Sequence, residues 1–368
     1  MNAAVLSNSY GEDICGALIS KELKCFDKDI KIRAFPLISF GKEYKKRNIK
    51  VIGGHPPPPS GGFLFKSAKF FFKDIAATFF LPFSYINNLR KFRENTDILI
   101  VVGDTPLLLL GYLSFRKKAY FLEICKSGYI SPHFAAERFF MRKFTNMVFT
   151  HDKITAEDLK KGGVDARFFG NPMIDDLREE GRYSPLQGNT IIGLLPGSRK
   201  EAYQNMKRIA EVVKEIFARK NNFCFAVALS DTVDKSKIAE AVPELRRKID
   251  FFHGSFVEII KNSKLVISMG GTASEQALYL GTPVVSFPGT GAQNTKNRLK
   301  GQKKLLGDAF VLLEYKPEKI ADKIIEIIEN TTFLEELKIR GKKRAGKPGG
   351  AGKIADYIYT REKQQSAQ

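Results

Sequence analysis

Acidic residues, hydroxyl-bearing residues and glycines gather at a few places in this chain, each just after a short apolar run. GDTP places Asp104 at the end of DILIVVGD, where a carboxylate could take a proton from a substrate hydroxyl. Near the start, SYGED supplies Ser9, Tyr10 and Gly11 in a loop, with a second acidic pair, Glu12 and Asp13. LLPGSRKE places Gly197 and Ser198 where a helix is expected to begin, with Arg199 beside them. Open backbone N–H groups, a positive helix end and a guanidinium fork suit a diphosphate. The same residues also fit a plain tight strand-to-helix turn capped by the serine. SMGGTASEQ is stronger. Gly270 and Gly271 allow close backbone approach to a ligand, Thr272 can cap the next helix, and Glu275 falls at capping-box spacing on its first turn. Glu275 could instead accept hydrogen bonds from two ribose hydroxyls.

Other chemistries are disfavoured. The chain contains no GxxxxGK[ST], GxGxxG or HExxH, which argues against P-loop kinases, simple dinucleotide enzymes and zincins. GxSxG is also absent, which argues against an α/β-hydrolase. Cys15, Cys25, Cys125 and Cys224 lack zinc-site spacing and form no evident disulfide framework, consistent with a reducing compartment. Nothing marks His133 or His151 as a base.

The elements that must position these residues are short apolar runs alternating with helical spacing. AAVLS, IKIRAFPLI, DILIVVGD, AYFLEI and NMVFTHD read as strands of a first sheet; TIIGLL, FCFAVALS, DFFHG, KLVISMGG, TPVVSF and FVLLE read as a second. Buried strands alternating with helices predict an α/β protein with two Rossmann-like, doubly wound parallel-sheet domains facing a cleft. The 368 residues suit two domains of ~150–200 residues. The expected boundaries are 1–170, 171–345 and a closing helix and tail, 346–368, packed back on the first domain. In such sheets ligands bind beyond the carboxyl ends of the strands. That rule selects residues 7–13, 103–106, 123–127, 170–172, 196–199, 230, 253–255, 269–275 and 288–294.

The net charge of +20 favours a polyanionic partner, or else reflects a solvated Lys-rich surface. Residues 63–93 interleave Phe with Lys66, Lys69, Lys73, Arg90, Lys91 and Arg93. They read either as a buried helix pair or as an amphipathic surface that meets lipid phosphates. No stretch reaches the ~20 apolar residues of a spanning helix, and acidic residues interrupt the start before any signal-peptide core forms. The run KNRLKGQKK, 296–304, fits a solvated helix face or a nucleic-acid contact, but no recognition-helix, RNP or zinc motif accompanies it.

The order of SYGEDICGALI, GDTP, GNPMIDDL, LLPGSRKE and GGTASEQALYLGTPVV resembles the lipid-A-disaccharide synthase family. The resemblance runs from about residue 5 to 290, with PGGAGKIA as a weaker match. It implies a GT-B fold and an inverting, metal-independent hexosyltransferase with no cofactor beyond its UDP-sugar donor. Carried over, Gly197, Ser198 and Arg199 face the diphosphate, with Gly271 and Thr272 opposite. Glu275 holds the ribose with Gln276 beside it, His253, Gly254 and Ser255 lie against the base, and Asp104 is the catalytic base. Two departures sit on the acceptor side: Thr105-Pro106-Leu107 lacks a second aspartate, and Tyr10 stands where relatives often carry His. The implied partners are a UDP-sugar, a lipid-linked or phosphorylated sugar acceptor and an anionic membrane surface, with no specific nucleic acid. The implied location is the inner face of the cytoplasmic membrane, as a peripheral protein. A UDP-sugar 2-epimerase of the same fold and a non-catalytic basic binding protein are the alternatives.

Overall fold

The computed structural model describes residues 1–54, 81–179, 181, 183, 190–246, 248–291 and 294–366, with only the backbone given at 81–84 and 366. The proline run and the Phe-rich residues 63–80 therefore lie outside the described residues. The chain folds as two units, Met1–Asp176 with Lys347–Gln368, and Leu177–Gly346.

The first unit is built on seven strands: β1 (Asn2–Ser7), β2 (Lys31–Pro36), β3 (Lys50–Val51), β4 (Ile98–Gly103), β5 (Ala119–Glu123), β6 (Thr145–Thr150) and β7 (Ala166–Arg167). All pair in parallel, in the order β3-β2-β1-β4-β5-β6-β7. Helices covering both faces explain why ILIVVG of β4 is apolar without alternation and buried throughout. The second unit repeats the scheme with β8 (Thr190–Leu195), β9 (Phe223–Leu229), β10 (Ile249–His253), β11 (Ser263–Ser268), β12 (Val284–Ser286) and β13 (Phe310–Leu312). Its order is β10-β9-β8-β11-β12-β13, again all parallel.

Both sheets share one topological feature. The chain steps outward from β1 to β3, then returns to lay β4 against the other side of β1. It likewise steps from β8 to β10 and returns to lay β11 against β8. Each unit therefore has a switch point at its centre, where the loops leaving neighbouring strands diverge and leave a crevice.

In the first unit one local reading changes. Tyr10, Gly11, Glu12 and Asp13 form the first turn of the helix Tyr10–Phe26, and Ser9 is its N-cap residue. Two acidic side chains in a first turn favour the positive helix end, so the helix starts earlier than its apolar spacing alone suggests.

The final helix, Gly350–Ser366, joins the first unit. Ala351, Ile354, Ala355 and Ile358 enter the core shared by Leu18, Ile19 and Leu23, and Phe26 stacks on Tyr359 with ring centroids 5.7 Å apart. Asp175 fastens its start, its two carboxylate oxygens accepting from the Gly349 and Ala351 N–H groups at 2.6 and 2.7 Å. Arg47 bridges Glu43 and Asp176 beside that clasp. Removing the Asp175 carboxylate leaves two helix-start N–H groups without their acceptor. Asp175→Ala is therefore expected to lower unfolding free energy by ~1–2 kcal/mol in denaturant titrations. An unchanged midpoint would show that the clasp is not what holds the helix.

Candidate active site

In the first unit, strand register places the chemistry on one edge. Ser7 pairs with Val102 and Gly103 with Glu123, so β1, β4 and β5 end nearly level at the switch point. Gly103 has φ +153°, and a Cβ there would stand 2.9 Å from the Asn8 amide nitrogen. Only glycine lets the two diverging loops come this close.

Asp104 follows directly. Its Oδ1 accepts from Leu107 N–H at 3.1 Å, capping the helix Thr105–Phe115 with Pro106 in the first turn. The carboxylate is half-buried, and Oδ2 accepts from no described residue. The buried Thr105 hydroxyl next to it has no partner among the described residues.

Asp13 is a different kind of acid. It is 1% exposed, and both its oxygens are engaged, Oδ1 by the Ser7 hydroxyl at 2.6 Å and Oδ2 by the Ser39 hydroxyl. Tyr44 donates to the Ser7 hydroxyl at 3.0 Å. That approach needs Gly16, where a Cβ would fall 2.1 Å from the Tyr44 hydroxyl oxygen. Burial pushes the Asp13 carboxyl up to about 6; the two serine hydroxyls oppose the shift, and the charges of Glu12 and Glu43 add to it. Of the two acids in SYGED, Asp13 thus ties β1 to the loop after β2. Glu12 is the more accessible, with Oε2 accepting from the Ser9 hydroxyl and Oε1 from the Cys125 thiol at 3.5 Å.

A fourth acid, Glu123, belongs to the same edge. Oε1 accepts from the Cys125 and Lys126 N–H groups at 2.8 and 2.9 Å, and Oε2 lies 3.8 Å from His133 Nε2. Burial raises its pKa; His133 opposes and the Asp104 charge adds to that shift. Glu123 ends an apolar strand just as Asp104 does, so its signal was present in AYFLE. His133 and His151 are both buried.

In the second unit Leu195 pairs with Ser268, and Met269 N–H donates to Leu195 O at 2.8 Å, so the loops after β8 and β11 start side by side. The helix after β8 does not begin at Ser198. It runs Ala202–Arg219, with Glu201 at the N-cap and no side-chain cap. Gly197, Ser198 and Arg199 form a projecting loop, Ser198 and Arg199 exposed, with the Ser198 carbonyl accepting from the Thr232 hydroxyl at 2.5 Å. Neither the serine cap nor the helix start at 197–198 holds. The loop is long because Asn205, one turn into the helix, anchors it from below. Asn205 is 1% exposed, donates to Pro196 O at 3.1 Å and accepts from Thr290 N–H at 3.0 Å. A polar residue on the apolar stripe Ala202, Met206, Ile209 was its signal in the sequence.

The capping-box reading of Thr272 and Glu275 also fails. The helix is Gly271–Tyr279, its N-cap is Gly270, and no side chain caps it. Thr272 is its second residue, and Glu275 lies on the second turn. Ser268 and Ser274 hold the glycine turn from beneath, through Ser274 Oγ to Ser268 Oγ at 2.8 Å and to Gly270 O at 2.5 Å. Gly271 is exposed, and a Cβ there would meet nothing nearer than Gln302 at 3.7 Å. A helix end with no side-chain cap, beside an exposed loop bearing Arg199, is an arrangement suited to an anion. Glu275 and Gln276 are half-buried on this helix.

His253 ends β10 and Gly254 and Ser255 follow it; β9 and β8 lie between β10 and β11, so two strands separate this loop from the glycine turn. The Ser255 hydroxyl is buried without a described partner at the start of the helix Phe256–Asn262. Such orphaned groups are uncommon in finished interiors. Among the described residues, no group of three or more His, Cys, Asp or Glu could hold a metal ion, and no helix is long and apolar enough to cross a membrane.

No family model matches the chain. It is 27% identical over 207 residues to lipid-A-disaccharide synthase 1 of Legionella pneumophila (strain Philadelphia 1), covering 52% of each chain. The chain thus spans about half the length of the curated relatives it matches. Among solved structures it resembles the glycotransferase of kitacinnamycin, with TM-score 0.67, 12% identity and 98% of each chain covered. It also resembles UDP-GlcNAc 2-epimerase from Neisseria meningitidis bound to UDP-GlcNAc, with TM-score 0.65, 16% identity, and 98% and 100% covered. The fold is the two-domain, Rossmann-like GT-B fold.

The elevated Asp13 pKa carries a sign. Unfolded, Asp13 ionises near its ordinary value of 3.8; folded, it holds its proton up to about 6. Between those values the folded chain binds more protons, so this group's contribution to stability falls as pH rises through the window. In protein labelled with 13C at aspartate carboxyls, one signal should titrate near pH 6, move higher in Ser39→Ala and vanish in Asp13→Asn. A midpoint near 4 for that signal would contradict the burial argument.

Proposed function

We propose that the chain is a glycosyltransferase that moves a hexosyl group, of N-acetylglucosamine type, from a UDP-sugar to a hydroxyl of a lipid-linked acceptor. The observation that carries this reading is the second unit's switch point, where an uncapped helix end at Gly270–Thr272 stands beside the Gly197–Arg199 loop. In this reading the first-turn N–H groups and Arg199 meet the diphosphate, Glu275 accepts from the ribose hydroxyls with Gln276 beside it, and the loop His253–Ser255 lies against the base, the Ser255 hydroxyl supplying a hydrogen bond. The acceptor belongs to the first unit's switch point. Asp104 Oδ2 takes the acceptor proton as the hydroxyl oxygen bonds to the anomeric carbon from the face opposite the leaving group. The bond from that carbon to the diphosphate oxygen breaks, UDP departs with the electron pair, and the configuration inverts. The helix end and Arg199 receive the leaving group's charge, a term of the oxyanion-stabilising kind. Glu12 is the second candidate base, while Asp13, engaged at both oxygens, positions the first turn.

Three observations support the reading: the GT-B fold, the partial likeness to a named lipid-A-disaccharide synthase, and structural neighbours whose names include UDP and UDP-GlcNAc. An anionic membrane face fits the charge of +20. A second reading, UDP-sugar 2-epimerisation, is favoured by the 2-epimerases among those neighbours.

The two readings part on one assay, in which the chain is incubated with UDP-N-acetylglucosamine and anionic vesicles made from a bacterial lipid extract. The transfer reading expects UDP and a glycosylated lipid in equal amounts, faster in low salt than in high. It expects Asp104→Asn to cost roughly 100-fold in rate or more, as loss of a general base does. An epimerised UDP-sugar without lipid product would replace the first reading by the second.

A further inference from the structure

Outboard of the donor loops, on the same edge of the second sheet, lies a cavity of about 390 Å³ lined by Pro288, Lys296, Lys300, Leu312, Leu313, Glu314 and Tyr315. It opens beyond the ends of β12 and β13, while the glycine turn follows β11 and the Gly197–Arg199 loop follows β8. Apart from Pro288, which opens the 288–294 loop, none of its lining residues is among the candidate site residues.

Its walls are fixed from behind. The Arg208 guanidinium donates to Pro288 O at 2.7 Å and sits 4.6 Å from the Tyr315 ring centroid. Tyr315 in turn donates to Glu211 at 2.7 Å and packs against Phe287, ring centroids 5.4 Å apart. A wall already held in place costs a ligand little ordering. The floor, Leu312 and Leu313, is apolar. Lys296 and Lys300, four residues apart on the helix Lys296–Leu306, line the same cavity from one helix face.

The charges are unbalanced. Lys296 is paired with Glu314 at 3.2 Å, which holds the Glu314 carboxyl below its usual range. Lys300, one turn further on, makes no ion pair or hydrogen bond with any described residue. An unpaired ammonium, a carboxylate and an apolar floor beside a tyrosine match three features of one ligand type. A phosphate meets Lys300, ring hydroxyls donate to Glu314, and the ring's apolar face lies on the leucine floor by Tyr315. The size falls at the lower end of the range for small-molecule sites, about 300–1,000 Å³.

We propose that this cavity is a binding site for a compact sugar phosphomonoester, of the hexose phosphate class, separate from the nucleotide site. The proposal rests on the cavity alone and not on the transfer reading.

Calorimetric titration of glucose 6-phosphate into the whole chain tests it, with glucose and inorganic phosphate as comparison probes. Saturable 1:1 binding of the phosphorylated sugar is expected, at least tenfold tighter than either probe. Lys300→Ala should weaken it at least tenfold, and Lys300→Glu should abolish it; Lys300 is exposed, so both variants should keep the wild-type thermal midpoint. Arg199→Ala and saturating UDP should leave it unchanged. No binding of glucose 6-phosphate, binding indifferent to Lys300, or inorganic phosphate binding as tightly would each overturn the proposal. Competition by UDP would overturn the separateness of the site. Failure of UDP to bind at all would bear on the transferase reading and leave this one standing.

Discussion

In an all-parallel sheet every strand ends on the same edge, and where the strand order turns back on itself two neighbouring loops leave for opposite faces. That single constraint organises both units of this protein. In the first it parts the loops after β1 and β4; in the second it parts those after β8 and β11. Glu12, Asp13 and Asp104 lie at the first of these places, and Gly197 to Arg199 with Gly271 and Thr272 at the second. The local packing exists to keep the crevices open at small spacing. Gly103 lets Asn8 approach, Gly16 lets Tyr44 reach Ser7, and Ser268 with Ser274 support the glycine turn from below.

The two switch points are chemically unlike. The first gathers carboxyl groups: the Glu12 charge acts on Asp13 and the Asp104 charge on Glu123, and burial raises the two that are enclosed, Asp13 and Glu123. The second exposes backbone N–H groups and a guanidinium on a loop that Asn205 anchors. An acidic edge suits a hydroxyl that must lose its proton, and an electropositive edge suits a leaving diphosphate. A chemistry that needs both is group transfer, and that division is what the proposed function rests on.

Much of this was legible in the sequence, and the rest was not for definite reasons. Long apolar runs such as ILIVVG and KLVIS announced buried parallel strands, and so the α/β class and its repetition. The two-residue strands Lys50–Val51 and Ala166–Arg167 carry too little pattern to be seen. Loops rich in Gly, Ser and Asp were visible, but which loops are neighbours depends on strand order, which no local pattern encodes. Helix starts were misjudged where an unusual cap decided them: at Gly270, where glycine replaces the expected threonine, and at Glu201, where the loop runs on past Ser198. Ser39 and Tyr44 contribute to the Asp13 environment from 26 and 31 residues away along the chain, a distance at which sequence spacing says nothing.

The central claim is that the uncapped helix end of the second unit holds a nucleoside diphosphate. Titrating UDP into the wild-type chain and into Glu275→Ala by calorimetry tests it most directly. The account predicts one site per chain with a Kd in the micromolar range, about −8 kcal/mol, weakened at least tenfold by the substitution. Wild-type protein that binds neither UDP nor any other nucleoside diphosphate would contradict it.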